Sequence, residues 1–400
     1  MSALFTTALN AASPPVKKAA IRPRPSHKIL PASVKLPVPG DPLPGLTDEQ
    51  RLAFSDGLEK FKGREVNASG LGPIFNNSSC LACHSRGGVG GGGTSVATRF
   101  GKTTETGFDP LTSLGGSLLQ LRSIAPAARE LIPLEADVIA RRQTPPLFGL
   151  GLVEAIPDAT ILAGVFDGKP DGVRGRAAIV KDLVTGADRV GRFGWKAQHA
   201  TLLAFSADAY LNEMGITSRV LPVENAPNGK SNLLITYDTT LDPEDTTDPA
   251  TGKADIDVSA DFMRLLAPPP PRPLTTTAAA GRALFETIGC TVCHTPRLQT
   301  GASDISALNQ KPVDLYSDLL LHDMGSLGDG IAQGDAGTHE FRTPPLWGVR
   351  LSATYLHDGR APNLDTAIRM HEGEAAAARD RYNALAAQKR LQLTSFLNSL

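Results

Sequence analysis

The chain has 400 residues, 41% of them hydrophobic, which is enough for two or three cores and at least two domains. Its formal net charge of −1 gives no field to gather nucleic acid or an anionic membrane, so small molecules or other proteins are the expected partners. No apolar run approaches the roughly 18 residues that a transmembrane segment needs.

The opening "MSALFTTALNAASPPVKKAA" has a weak apolar patch without a positive start before it, a poor secretory signal. Residues 1–45 are dense in proline and read as an extended arm. Order is expected from "LTDEQRLAFSDGLEKF", where Thr47 and Gln50 can form a capping box and Phe54, Leu58 and Phe61 recur at helical spacing. A comparable helix, "TTTAAAGRALFETIG", is expected to bury Ala283 and Leu284. The run "APPPPRP" before it cannot be regular helix or central strand, and it divides a first domain, 46–266, from a second, 267–400. An acidic loop near 237–255 could hold calcium, but its spacing fits no calcium loop and it reads as a solvated excursion. Residues 374–400 read as one long helix.

"TPPLFGL" at 144–150 recurs as "TPPLWGV" at 343–349, each time some fifty to sixty residues after a Cys-x-x-Cys-His. The halves look like copies of one unit. The expected fold class is mainly α, with two cytochrome c-like domains related by this repeat and long loops.

All four cysteines fall in "CLACH" (Cys80, Cys83, His84) and "CTVCH" (Cys290, Cys293, His294). A redox dithiol has no use for a histidine at the same offset twice. A single zinc site of four thiolates would have to join motifs on opposite sides of a whole repeat. Two covalently bound c-type haems explain every feature: paired thioethers fix each porphyrin, and His84 and His294 supply imidazole to iron. Haem attachment of this kind implies an exported, periplasmic protein, with a leader trimmed or a start misplaced.

The stretches "RRQTPPLFGLGLVEAIPD", "GRFGWKAQ", "NEMGITS", "DLLLHDMG", "EFRTPPLWGVR" and "YLHDGRAPNLDTAI" resemble the bacterial di-haem oxidoreductases that carry the name thiol oxidoreductases, relatives of the di-haem cytochrome c peroxidases. The resemblance spans roughly 56–400. It implies that one haem receives electrons from a donor, such as a small cytochrome c or copper protein, while the other binds hydrogen peroxide.

By the same resemblance, the second haem's opposite ligand stands fourteen residues after the histidine of "HDG", which is His371 counted from His357. Met370, one residue earlier, points about 100° away on a helix. Met324 in "LHDMG" is a further candidate, with gap-filling in the core as its plain alternative. At the first haem, Phe100 stands where resting peroxidase relatives place a removable distal histidine, so that site is expected to need no reductive unlocking. The glycines of "GGVGGGG" would let the chain lie close to a haem face. "NEMG" matches the relatives' Glu-Met pair and makes Glu213 the acid–base candidate and Met214 a candidate ligand, although the relatives have two more residues between this pair and the upstream tryptophan. That tryptophan is Trp195, which the resemblance puts between the haems as an electron relay. His199, His322, His339 and His27 claim no ligand role, and His357 is expected to organise the second-haem loop by hydrogen bonds.

The expected activity is therefore peroxide reduction at the first haem with electrons passed through the second. Peroxide-dependent oxidation of a protein or organic substrate and plain electron transfer are the alternatives. Thiol chemistry is excluded because haem attachment leaves no free cysteine.

Overall fold

In the computed structural model, which describes residues 36–241 and 243–400, the first helix begins where its capping box requires. Thr47 Oγ1 accepts from Gln50 N at 3.2 Å and Gln50 Oε1 accepts from Thr47 N at 3.0 Å, opening α1 (Asp48–Lys62). Phe54 and Phe61 turn inward as their spacing requires. The first 35 residues of the arm lie outside the described residues, as does His27. Near the end of the arm Leu43 turns inward, 6% exposed, as does Leu46 just after it, 5% exposed, both inside the main core cluster.

The remaining helices in chain order are α2 (Leu150–Glu154), α3 (Asp158–Leu162), α4 (Leu202–Met214), α5 (Leu234–Tyr237), α6 (Asp255–Leu265), α7 (Thr276–Thr287), α8 (Leu364–Arg369), α9 (Ala376–Asn383) and α10 (Ala387–Leu397). Among the described residues none is long and apolar enough to cross a membrane. Residues 374–400 are thus two helices and a short 3₁₀ turn rather than one helix, with the break at 384–386.

The sequence missed the β structure. Val96–Thr104 pairs with Gly107–Asp109, Leu118–Leu119 and Val138–Gln143 in a four-stranded antiparallel sheet, and four two-stranded ribbons lie elsewhere. Most strands have only two or three residues, too few for a period-2 pattern to show. Helices with substantial short-stranded sheet describe the chain better than helix and loop alone.

Pro37–Leu400 is one compact unit by its contacts. Its main core gathers Phe54, Phe148, Phe193, Phe262, Leu320 and Trp347, so residues from both sides of 267–273 supply it. A second cluster joins Phe285 of α7 to Tyr382 of α9 and to Leu393, Phe396 and Leu397 of α10. Here Ala283 is exposed and Leu284 half-buried; the face of α7 that packs carries Ala278, Gly281 and Phe285. The reason is Gly281, where a Cβ would stand 1.9 Å from the Gln392 carbonyl oxygen, so α10 crosses α7 directly over it. Gly281→Ala must push the helices apart and should cost about 1–3 kcal/mol. Denaturant unfolding of the holoprotein checks this, and an unchanged midpoint would show that α10 can move away freely.

Candidate functional site

The first Cys-x-x-Cys-His lies in a turn after α1. His84 N donates to Cys80 O at 2.9 Å, and the His84 ring places Nδ1 3.2 Å from Gly91 O. The glycine loop therefore serves the motif itself. A Cβ on Gly91 would meet Arg86 O at 1.8 Å and one on Gly93 would meet Cys83 O at 2.1 Å, so the loop folds back tightly enough to present its carbonyl to the imidazole. The second motif repeats this design, with His294 Nδ1 3.0 Å from Tyr316 O. At the candidate opposite ligand, His371 Nδ1 lies 2.8 Å from Ala367 O, one turn back on α8.

In His294 and His371 a carbonyl takes Nδ1–H and leaves Nε2 as the free lone pair, the tautomer that a metal-binding imidazole needs, while His84 meets the Pro145 backbone as well as Gly91 O. Burial lowers His84 to about 4. Burial, then the neighbouring His371, lowers His294 to about 4, and burial also lowers His371. All three are thus neutral donors at physiological pH. Burial pushes the thiols of Cys80 and Cys290 up to about 12, the reverse of the depressed pKa of a reactive dithiol or a zinc thiolate.

A cavity of ≈ 320 Å³ is walled by Cys290, Cys293, His294 and His371, and by Trp195 and His357, a volume at the lower end of the roughly 300–1,000 Å³ of small-molecule pockets. Its two thiols and two neutral imidazoles are the donor set that fits a haem. His371 reaches its wall and Met370 does not; Met324 lines it too, half-buried. Met214 belongs instead to the core around Tyr210 and Ile256, against which Cys80 packs.

Trp195 and His357 occupy matching places in the two halves. Phe193 bridges to His199 and Tyr355 to Ala361, and Thr201 and Asn363 then cap α4 and α8 through Ala204 N and Thr366 N. The two rings meet edge-on at 6.5 Å, and Phe341 stacks on His357 at 4.2 Å. The His357 ring makes these aromatic contacts, while its carbonyl accepts from Gln143 N at 2.6 Å. Trp195 Nε1 donates to Gln143 O at 2.9 Å.

Glu213 ends α4 half-buried, not as a surface residue. Its Oε2 accepts from Asn76 Nδ2 at 2.9 Å, and its carbonyl accepts from Asn76 N and Asn77 N at 2.8 and 3.1 Å. Asn77 Nδ2 in turn lies 3.7 Å from Cys83 Sγ. Gly215, left-handed at φ 63°, closes the helix here and allows the contact, since a Cβ on it would meet Ile74 O at 2.7 Å. Burial raises Glu213, Asp208 adds to this, and the Asn76 hydrogen bond and the Arg99 charge oppose it.

Arg99 has no role in the sequence reading. It neighbours Phe100, whose ring is fully buried with Leu111 and Leu119. Successive strand residues face opposite ways, so Arg99 turns towards Glu213 and Asp208, with Nη1 donating to Ser117 Oγ at 3.0 Å. Burial, then repulsion from Arg142, lowers it to about 10. Ala209 is a second residue without a sequence signal: it follows Trp195 by fourteen residues, as His371 follows His357. Ala209 and Glu213 are one turn apart on the same face of α4.

His199 is buried with Nε2 3.4 Å from Asp208 Oδ2. His322 is fixed between Asp318 Oδ2 at 3.0 Å and Glu374 Oε2 at 2.7 Å. Burial works against its proton, but hydrogen bonds with Asp318, Cys293 and Glu374 outweigh it and raise it to about 12. Asp238 and Glu244 of the acidic loop come with Glu224 to within 4.8 Å of one another, and Thr217 N donates to Glu244 Oε2 at 2.6 Å.

The model of the family described as "Di-haem oxidoreductase, putative peroxidase" matches residues 129–400. None of the curated proteins matches the chain. Among solved structures, a MauG-like protein associated with microbial copper homeostasis is 17% identical over 92% of this chain and 94% of its own, with a TM-score of 0.42. The diheme peroxidase BthA from Burkholderia thailandensis is 15% identical over 87% and 86%, with a TM-score of 0.40. Hydrazine synthase from Kuenenia stuttgartiensis is 16% identical over 97% and 100%, with a TM-score of 0.39. The chain, with its two Cys-x-x-Cys-His turns and neutral imidazoles, belongs to the di-haem oxidoreductase family.

Proposed function

We propose that the chain is a periplasmic di-haem peroxidase that reduces hydrogen peroxide at the first haem with electrons received through the second. The reading puts covalent c-type haem on Cys80 and Cys83 with His84 as ligand, and on Cys290 and Cys293 with His294 and His371. Residues 46–266 then form the peroxidatic part and 267–400 the electron-transfer part, served by a small cytochrome c or copper protein.

One observation carries the division of labour: α4 bears Ala209 where the second half has His371, just past the end of α8. A methyl group cannot ligate iron, so the first half leaves room for peroxide where the second supplies an imidazole. Phe100, packed in its own cluster, offers no ligand either.

Haem iron, when bound, supplies the electrons and a binding position for peroxide. The chain supplies the proton path. Glu213, as carboxylate, takes the proton from the near peroxide oxygen and returns it to the far one, so that water leaves in place of hydroxide. Asn76 fixes the carboxylate, and Arg99 beside it holds a positive charge towards the departing oxygen. Each peroxide consumes two electrons and two protons and yields two waters. Trp195, edge-on to His357 and in turn to Phe341, gives a short aromatic route between the halves.

Ferric optical and paramagnetic resonance spectra, before and after peroxide, test the reading. One high-spin and one low-spin haem are expected, with the high-spin signal lost on adding peroxide. Two low-spin haems inert to peroxide would leave plain electron transfer. His371→Ala should convert the remaining low-spin signal to high-spin, whereas Met370→Leu and Met324→Leu should leave it unchanged.

Glu213→Gln should lower kcat/KM for peroxide by about 10²–10⁴. Its acid form cannot accept the first proton, so wild-type kcat/KM should fall as the pH drops through its raised pKa, above the ~4.3 of an ordinary glutamate. In the variant this acid limb should vanish; a limb that persists assigns the proton transfer to another group.

A further inference from the structure

Five arginine and lysine side chains are buried among the described residues: Arg142, Lys169, Arg192, Lys196 and Arg342. Four of them meet a carboxylate. Arg142 and Lys196 share Asp329 at 2.7 and 3.2 Å, Lys169 lies 3.5 Å from Asp318, and Arg192 pairs with Asp158. Arg342, 8% exposed, has none. Its Nε donates to Gly194 O at 3.0 Å and its Nη1 to Thr343 O at 3.0 Å, both neutral acceptors, and Nη2 donates to no described residue.

A buried cation is retained where an anion meets it. Arg342 lines the cavity walled by Cys290, Cys293, His294 and His371. The two carboxylates on that wall are engaged elsewhere, Asp171 with Arg381 and Glu374 with His322. Burial is the sole influence on the guanidinium, lowering it to about 10, so no protein charge compensates it. The missing anion therefore comes from whatever fills the cavity.

We propose that the Arg342 guanidinium binds a propionate carboxylate of the haem held by Cys290, Cys293 and His294. Two of its donors are fixed on the Gly194 and Thr343 carbonyls, which leaves Nη2 as the free arm of a rigid fork suited to a carboxylate. The same contacts tie it to the Trp195 loop, since Arg342 N donates to Trp195 O at 3.0 Å. A bound propionate would thus sit beside the aromatic contact between the halves. Gln143, the matching residue of the first repeat, has no charge, so this anchor belongs to the second site alone.

The proposal rests on the haem reading and not on peroxide turnover. Its test is the reduction potential of each haem, measured by optical titration of the full-length di-haem protein carrying Arg342→Gln or Arg342→Lys. Removing the cation leaves the propionate charge uncompensated and disfavours the added electron. Arg342→Gln should therefore lower the reduction constant of the second haem at least tenfold, 59 mV for one electron, and leave the first within a few-fold. Arg342→Lys should restore most of the loss. A second haem unmoved by the Gln variant, a shift confined to the first haem, or equal shifts with Gln and Lys would overturn the proposal.

Should the Gln variant not fold, rising acetate added to the wild-type protein decides between a resident propionate and a mobile anion. The resident carboxylate predicts a constant potential, and a potential that falls with acetate overturns it. A wild type inert to peroxide would defeat the peroxidase reading without altering these measurements.

Discussion

The two halves are held in register by a reciprocal clasp. Gln143 N donates to His357 O at 2.6 Å, and Arg342 N donates to Trp195 O at 3.0 Å. Gln143 and Arg342 immediately precede the two Thr-Pro-Pro-Leu copies, and Trp195 and His357 are matching residues of the two capping loops. Each half therefore grips the other half's loop with the same backbone group. Hydrogen bonds of this kind contribute only about 0.5–1.5 kcal/mol each. Their consequence is geometric, because they bring both aromatic rings to the seam, from which the capping loops lead into α4 and α8.

The buried charges around the seam serve this placement. Asp329 receives Arg142 Nε and Lys196 Nζ, and Lys196 also stands 4.1 Å over the ring of Phe341. Burial draws Lys196 down to about 8 while Asp329 opposes the shift. Buried pairs are not dependable sources of stability relative to apolar packing. What this cluster does is tie the strand 138–143 and the loop at 196 to one carboxylate, and so fix Phe341 under His357.

What was legible in the sequence follows from how local each signal is. The two Cys-x-x-Cys-His turns were readable because two thiols and an imidazole fall within five consecutive residues. The capping box of α1 was readable for the same reason. His371 was singled out only by resemblance to relatives, since Asn363 signals the start of α8 but nothing local marks a residue just past its end. Ala209 was invisible, because its match to His371 appears only after the isolated bridges and helix caps align the two loops. Arg99 was overlooked beside Phe100 because strand alternation, not sequence distance, decides which of the two faces Glu213. Ala283 was misjudged because the close crossing at Gly281 sets which face of α7 is covered.

The same alignment shows where the two halves of the chain differ. The clasp is made by backbone groups, so its side chains can differ between the halves, as Gln143 differs from Arg342 and Trp195 from His357, and Ala209 likewise stands where the second half has His371. The first half gathers ionisable groups at the end of α4, where burial raises Glu213 and a tethered asparagine orients it. The second gathers neutral imidazoles and one buried guanidinium without a protein counter-ion. On the proposed reading, a proton-handling site and an electron-holding site would draw on these different environments. A seam made of backbone hydrogen bonds holds while the side chains around it differ, and so allows the two sites to differ.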